Sequence, residues 1–376
     1  MTAARQPTLT TPPSGPALAG GPVFELPAGL LATGPAESRG LARDGVRLMV
    51  ASAAGIEHRV ASALPAVLRA GDVLVLNTSE TLPAALRGVL PSGEAMEVHL
   101  STVDHAGSYP AALAARESRW VVEVRAAGPL GGTQSYAPRA GAAIRLAGGA
   151  SLRVLDSAPP GATQSRLWTA DLETPLPLLE FLREHGEPIR YGYVSAPWPL
   201  SAYRNEYADT PGSVELPSAG RAITTRMLRR LRARGVQIAT LTLHCGVSSM
   251  ESHDPPYPEW FSVPAASADL VNEARWAGRR VIAVGTTAVR ALESVAEPHG
   301  FVHAGSGWTD LVVTPERGVS TVDGLLTGWH EPAASHHAML AAVASPELIR
   351  ASYRAALSAG YLWHEFGDLH LLLADR

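Results

Sequence analysis

"RRVIAVGTTAVRALESV", residues 279–295, reads as strand, turn and helix in immediate succession. The apolar run from Val281 to Val284 stops at Gly285-Thr286-Thr287, and Val289, Leu292 and Val295 then recur at helical spacing, with Arg290 and Glu293 between them. A strand feeding a helix is the repeating unit of α/β architecture. The first N–H groups of such a helix have no backbone acceptors. The turn is therefore either a plain Thr-capped helix start or a place where a carboxylate, phosphate or hydroxyl binds, with two Thr hydroxyls to help.

The same texture extends outward from this stretch. "VRLMVAS" (46–52), "GDVLVLN" (71–77), "QIATLTLH" (237–244) and "DLHLLLA" (368–374) read as strands, with helices near 60–71, 224–234, 267–278, 288–296 and 346–359. Between Leu86 and Glu173 the pattern changes to short alternating runs such as "MEVHLST", "RWVVEVR", "AAIRLAG", "SLRVLDS" and "RLWTADLE", separated by Gly/Pro-rich breaks. Several short strands at regular spacing indicate a compact antiparallel barrel. The expected fold is an α/β body with an inserted small antiparallel β-barrel: main domain 23–86 and 174–376, barrel domain 87–173. Residues 1–22, rich in Pro, Thr, Ala and Gly, offer little apolar surface to offset their ordering entropy and are expected to be a disordered tail.

Composition removes several chemistries. All 31 basic residues among the 376 are arginine, so no Schiff-base lysine and no Walker lysine exist. The single cysteine, Cys245, forms no internal disulfide, no apolar run reaches the roughly 18 residues that cross a bilayer, and no export signal opens the chain. These features imply a soluble cytoplasmic protein with no membrane partner. A net charge of −4 argues against general coating of nucleic acid.

Four segments carry candidate chemistry. "TLHCG" ends a strand with His244, Cys245 and Gly246; His244 and Cys245 point to opposite faces and make a poor Cys-His pair, while Gly246 lets a backbone approach a ligand. "DGLLTGWHEPAASHHAML" gathers Asp323, His330, Glu331, His336 and His337, but a metalloprotease helix needs its second His four residues after His330, where Ala334 stands, and Pro332 interrupts; no metal site is expected. "RAITTRMLRRLRARG" holds six arginines around an Ile223, Met227, Leu231 stripe, either a solvated helix face or an RNA contact. "HEFGDLHLLL" places Glu365 and Asp368 around Gly367, as turn carboxylates or ligand carboxylates.

Read in order, "FELP" (24–27), "GDVLVLN" with "LPAAL", "TLHCG" (242–246), "VIAVGTTAVRALES" (281–294), "VDGLLTGWHEP" (322–332) and "FGDLHLLL" resemble the S-adenosylmethionine:tRNA ribosyltransferase-isomerase family of queuosine biosynthesis. The resemblance implies the same two-part architecture and an enzyme that transfers and isomerises the ribosyl group of S-adenosylmethionine onto an aminomethyl-deazaguanine in a tRNA anticodon stem-loop. S-adenosylmethionine is then the donor substrate; no metal, flavin or bound prosthetic group is needed. The sulfonium acidifies a neighbouring C–H and leaves as a thioether, so the protein supplies a proton acceptor, anchors and water exclusion.

On this resemblance His244, His330 and Glu293 are the catalytic candidates, Glu293 through a ribose hydroxyl. Gly246, Gly285, Thr286, Thr287, Arg290, Asp323, Trp329 and Asp368 are the substrate-binding candidates, Trp329 by an aromatic face near the sulfonium. The resemblance is that of a divergent member. Glu80 and Ala85 stand where the family usually has arginines, Ala222 stands at a usual histidine, and Asp254 and Tyr257 stand at two more, with Glu259 kept and His253 nearby. Three readings follow: the tRNA enzyme, a paralogue acting on a small-molecule acceptor, and a silent nucleoside-binding protein.

Overall fold

The computed structural model describes residues 22, 24–104, 108–127, 133–160, 165–247, 257–332 and 334–374. The expected tail, Pro22 apart, and His253 and Asp254 lie outside the described residues.

Among the described residues, nine strands form a mixed sheet in the order Gly305–Thr309, Glu259–Val263, Gln237–Leu243, Val73–Asn77, Val281–Val284, Gly324–Thr327, Leu369–Leu373, Arg47–Ser52, Gly55–Val60. Its middle, from Gln237–Leu243 to Gly324–Thr327, is parallel. Such strands are covered on both faces, which is why "VLVLN" and "VIAV" are apolar without alternation and wholly buried. Val73 and Val75 enter one core with Val271, Val289, Leu292, Met339 and Tyr353 from the helices Ala265–Trp276, Thr286–Ser294, His336–Val343 and Pro346–Ser358. Leu74 and Leu76 enter the other with Ile223, Met227 and Leu231.

The arginine-bearing helix, Thr225–Ala233, therefore lies on the second face, with Thr224 Oγ1 capping Met227 N at 3.1 Å. The cations of the helix and of the turn before it are partly consumed within the fold: Arg221, ahead of the helix, binds Glu37 at 2.9 Å, Arg226 binds Asp44 at 3.3 Å and Arg230 donates to Ser62 O. The chain leaves this helix directly into the start of Gln237–Leu243, where Gly71 N donates to Gly235 O. Arg232 and Arg234 are thus at the strand-start end of the sheet, opposite the ends that carry His244 and Gly285.

Six antiparallel strands, running from Ala85 to Glu173, close a barrel: Ala85–Val89, Ala95–Val103, Glu117–Ala127, Leu167–Glu173, Ser151–Ala158 and Ala143–Leu146, which returns to Ala85–Val89. At the last seam Gly88 is required, because a Cβ there would lie 2.8 Å from Arg145 O. The alternating residues Val98, Leu100, Trp120, Val122, Val124, Ile144, Leu152 and Val154 fill one core, closed by Leu178, Phe181 and Leu182 of the helix Leu178–His185. The barrel texture of the sequence and the closed barrel of the structure therefore agree.

Candidate active site at the strand ends

The strands Val73–Asn77, Gln237–Leu243 and Val281–Val284 run parallel and end at one edge, the usual position of a ligand crevice in such a sheet. Asn77 ties the three ends together. Its amide nitrogen donates to Leu243 O at 2.8 Å and to Thr287 Oγ1 at 3.2 Å, and its oxygen accepts from Leu243 N at 2.9 Å and Ser79 N at 3.1 Å. Three of these bonds hold the turn after Val284 against the end of the His244 strand, and the fourth fixes the local Ser79 backbone, so its polar capacity is filled.

At that turn Gly285 has φ +87°, a conformation that favours glycine, and precedes the helix Thr286–Ser294 without a side-chain cap bond. Neither threonine is the cap; both lie in the first helical turn and are half-buried.

His244 is only 1% exposed. Its Nδ1 lies 2.7 Å from Ser79 Oγ, which lies 2.6 Å from Ser213 Oγ, which accepts from Cys245 N at 2.9 Å. The imidazole sits between Tyr109, 4.3 Å away between ring centres, and Trp260, 5.2 Å away and stacked. Tyr109 comes from the helix Tyr109–Ala114, beside the barrel, so body and barrel meet on this ring. Burial lowers the imidazole to about 3, which keeps it neutral at pH 7. Such a group is a weak proton acceptor and a stable neutral hydrogen-bond donor or acceptor.

Arg290 leaves the first turns of its helix and is spanned by internal acceptors: an ion pair with Glu259, Leu311 O at 3.0 Å and Thr309 O at 3.1 Å. The other Glu259 oxygen accepts from Gly246 N at 3.0 Å. Arg290 and Gly246 are thereby joined through one carboxylate. A Cβ at Gly246 would lie 2.9 Å from Ser101 Oγ, so glycine lets the loop approach the barrel closely.

A family model described as "Queuosine biosynthesis protein" matches residues 23–372. The chain belongs to that family. Among its relatives, the S-adenosylmethionine:tRNA ribosyltransferase-isomerase of Moorella thermoacetica is 34% identical over 370 residues, covering 93% of this chain and 98% of its own. The protein of the same name from Thermus thermophilus is 35% identical over 348 residues, covering 88% and 93%. The crystal structure of S-adenosylmethionine tRNA ribosyltransferase from Thermotoga maritima is 26% identical, covers 93% of this chain and 99% of that one, and superposes with a TM-score of 0.49.

In this queuosine-family chain the Thr327 strand end brings a histidine cluster to the same edge. His330 Nε2 lies 3.0 Å from Thr327 Oγ1, its carbonyl accepts from Trp363 Nε1, and its ring stacks on His336 at 4.4 Å and 4°. Burial, then the neighbouring histidines, hold His330 well below its usual range; burial, then His337 and Arg290, lower His336 to about 4. His336, stacked on His330, also feels the Arg290 charge. Among the described residues, no group of three or more His, Cys, Asp or Glu has the arrangement of a metal site.

Four expected site residues are placed elsewhere. Trp329 is 2% exposed and stacks on His370 at 4.3 Å and 8°, packed with Tyr353, Tyr361 and Trp363, so its face belongs to the core rather than to a sulfonium. Asp323 accepts from Val281 N at 2.8 Å at the strand-start end. Asp368 is occupied by Arg47 N, Arg47 Nε and Leu362 N. Glu293 receives Ser320 N, Thr321 N, Thr321 Oγ1, Ser320 Oγ and Arg317, leaving no place for a ribose hydroxyl.

Burial alone would raise the Glu293 carboxyl, but Arg317, Thr321 and Ser320 hold it below its usual value. A lowered folded-state value means that the contribution is present above the unfolded value and lost as pH falls through the folded one. Glu293→Gln is expected to lose about 2–3 kcal/mol at pH 7, and the difference from wild type is expected to shrink below about pH 4. Urea unfolding at pH 7 and pH 3.5 checks both; an equal difference at the two values refutes the assignment.

Of the two carboxylates around Gly367, Glu365 is the one with unused capacity. Its Oε1 is sealed from solvent without a hydrogen-bond partner among the described residues, and burial, then Glu215, raises the carboxyl to about 8 against the opposing Arg221. Sequence order alone does not separate the two; His364, with φ +71°, turns the chain between them and the preceding Trp363. The sequence gives no signal for Ser79, Ser213 and Tyr109, whereas a polar residue ending the apolar run "VLVLN" is a readable signal for Asn77. Of the altered family positions, Glu80 pairs with Arg204 at 2.8 Å, Ala85 and Ala222 are buried, and Tyr257 packs near Val121, Ala158 and Leu167.

Proposed function

We propose that this chain transfers and isomerises the ribosyl group of S-adenosylmethionine onto a deazaguanine base in tRNA, in the cytoplasm, with the donor as substrate rather than bound cofactor. The observation that carries this reading is the junction made by Asn77, which sets the Gly285-Thr286-Thr287 helix start beside His244 at the ends of parallel strands. The main domain, 23–86 and 174–376, supplies these groups, and the inserted domain, 87–173, supplies Tyr109 and Ser101 against them. Thr286 and Thr287 hold the polar groups of the nucleoside. The Arg290–Glu259 pair fixes the Gly246 backbone, and His244 and His330, both neutral, hydrogen-bond and relay protons around the sulfonium carbon. Glu293 positions the 317–321 segment.

The test is incubation with S-adenosylmethionine, with and without undermodified tRNA, followed by mass spectrometry of adenine and methionine. Release that requires tRNA supports the reading. One observation favours a small-molecule acceptor as the second reading: Glu80 and Ala85 present no free positive charge where the family usually has arginines. Release that requires only a deazaguanine base supports that second reading, and absence of both release and nucleoside binding supports a silent protein.

Among the described residues, Arg290 at the strand-end edge is paired with Glu259 and Arg204 with Glu80. The salt dependence of tRNA binding is expected to be shallower than a log–log slope of about −3, since each phosphate contact contributes about −0.7 to −0.9. Because the last turn of the arginine-bearing helix lies at the strand-start end, replacing Arg229, Arg230 and Arg234 with alanine is expected to leave the affinity within about twofold. Filter binding from 50 to 300 mM salt would count against this surface assignment if the triple variant lost binding.

A further inference from the structure

The two serines beside His244 come from a separate two-stranded parallel sheet, Ser79–Thr81 with Thr210–Ser213. Its register shifts between Pro211 and Ser213, so Gly212 has no partner across the sheet. Gly212 lies instead against the Nδ1–Cε1–Nε2 edge of the His244 ring, where a Cβ would overlap all three atoms. The next residue, Ser213, brings its hydroxyl to 2.6 Å from Ser79 Oγ.

Each hydroxyl is buried between two neighbours. Ser213 Oγ sits between Cys245 N at 2.9 Å and Ser79 Oγ; Ser79 Oγ sits between Ser213 Oγ and His244 Nδ1 at 2.7 Å. A hydroxyl has one proton to give. Cys245 N–H can only donate, so Ser213 Oγ accepts there and must place its own proton elsewhere. Among the described residues Ser79 Oγ is the strong acceptor within reach, and the Cys245 thiol is a weak one. Ser79 Oγ, having accepted that proton, donates its own to His244 Nδ1. A neutral imidazole then carries its single ring proton on Nε2.

The other orders leave a buried proton stranded. If Nδ1–H donates to Ser79 and Ser79 to Ser213, the Ser213 proton has only the thiol. If both neighbours donate to Ser79, the Ser79 proton has no acceptor among the described residues. An unmade hydrogen bond in a buried site costs more than a made one gains, which selects the first order. Burial keeps the ring neutral at pH 7, so a doubly protonated form does not evade the choice.

We propose that Ser213 and Ser79 are positioning residues that fix His244 in the Nε2–H form, so that His244 offers the substrate a hydrogen-bond donor and is not the base that takes the proton beside the sulfonium. Nε2 has no hydrogen-bond partner among the described residues, while Tyr109 and Trp260 hold the ring faces. This rests on the proposed function and narrows it. The acceptors that fit such a donor are the uncharged oxygens and ring nitrogens of the donor nucleoside or of the deazaguanine, and the proton beside the sulfonium leaves to another group.

The test is nitrogen NMR of histidine-labelled protein at pH 7, with the His244 signals identified by their absence in His244→Gln. The expected result is an unprotonated Nδ1 and a protonated Nε2. S-adenosylhomocysteine and 7-aminomethyl-7-deazaguanine are then added separately, and the one that shifts the Nε2–H signal identifies the acceptor. In Ser213→Ala the tautomer preference is expected to weaken and turnover to fall at least about tenfold with KM for S-adenosylmethionine little changed, whereas Ser213→Thr, which keeps the hydroxyl, restores both. Chemical unfolding shows that the alanine variant is folded; if it is not, Ser79→Ala is read in the same way. A wild-type protein with its proton on Nδ1, or full turnover in a folded serine variant that has lost the preference, overturns the proposal. Binding of both probes by calorimetry without a shift at Nε2 overturns the substrate contact and leaves the proposed function standing. Binding of neither overturns the proposed function and the contact together, and the ring nitrogens still decide the role of the serine pair.

Discussion

Arg290→Ala is expected to destabilise the protein by about 3–5 kcal/mol, the cost of leaving a mostly buried carboxylate without its partner. The motif alone predicts something milder, a loss of ligand affinity at a partly open turn. The structure changes that expectation because the guanidinium is wholly engaged: by Glu259, Leu311 O and Thr309 O, with both side chains no more than 14% exposed. Removing it strands Glu259 and two carbonyls together. It also frees the carboxylate that holds Gly246 N, so ligand affinity should fall in parallel. The double variant Arg290→Ala/Glu259→Ala should be less destabilised than the sum of the singles, since the stranded charge is gone. Chemical unfolding of the three variants measures this. Additive losses would show that the pair does not act as a unit, and an Arg290→Ala protein of wild-type stability would return the residue to a ligand-facing role.

His244→Ala is expected to lower turnover by about 100-fold or more with nucleoside affinity nearly intact. The neutral ring is held by Ser79 and sandwiched by Tyr109 and Trp260, so its orientation is fixed before any substrate arrives. Because the imidazole titrates near 3, the rate should show no inflection from this residue between pH 5 and 9. Gly212 offers a second variant that keeps the imidazole: a Cβ there would overlap the ring, so Gly212→Ala displaces it. Turnover in Gly212→Ala is expected to fall at least tenfold while the chain remains folded. Full turnover in either variant would remove His244 from the chemistry and leave it as the ring on which body and barrel close.

The elements were largely legible because periodicity is local. Ile223, Met227 and Leu231 mark a helix face from their spacing alone, and the helix Thr225–Ala233 buries those residues. The helix expected over 267–278 begins instead at Ala265, where Pro264 ends the preceding extended segment and Pro favours such a boundary. The strands Glu259–Val263 and Gly305–Thr309 were not foreseen, since each is short and rests on its neighbours rather than on its own pattern.

By itself, then, the sequence determined the α/β body, the barrel insertion, the family and the motif pair of "TLHCG" and "VGTTAVR". Tertiary structure decided which polar residues of those motifs remain available. Asp323, Glu293, Asp368 and Trp329 stand in motif positions yet are consumed by Val281 N, the 317–321 segment, Arg47 and His370, contacts made across 24 to 321 residues of chain. Glu365 reads in the sequence no differently from Asp368 around Gly367, yet its Oε1 is sealed without a hydrogen-bond partner among the described residues. The physical reason is one of range: a helix or strand is specified by neighbours a few residues away, whereas the free or satisfied state of a side chain depends on which distant groups the fold brings within about 3 Å of it.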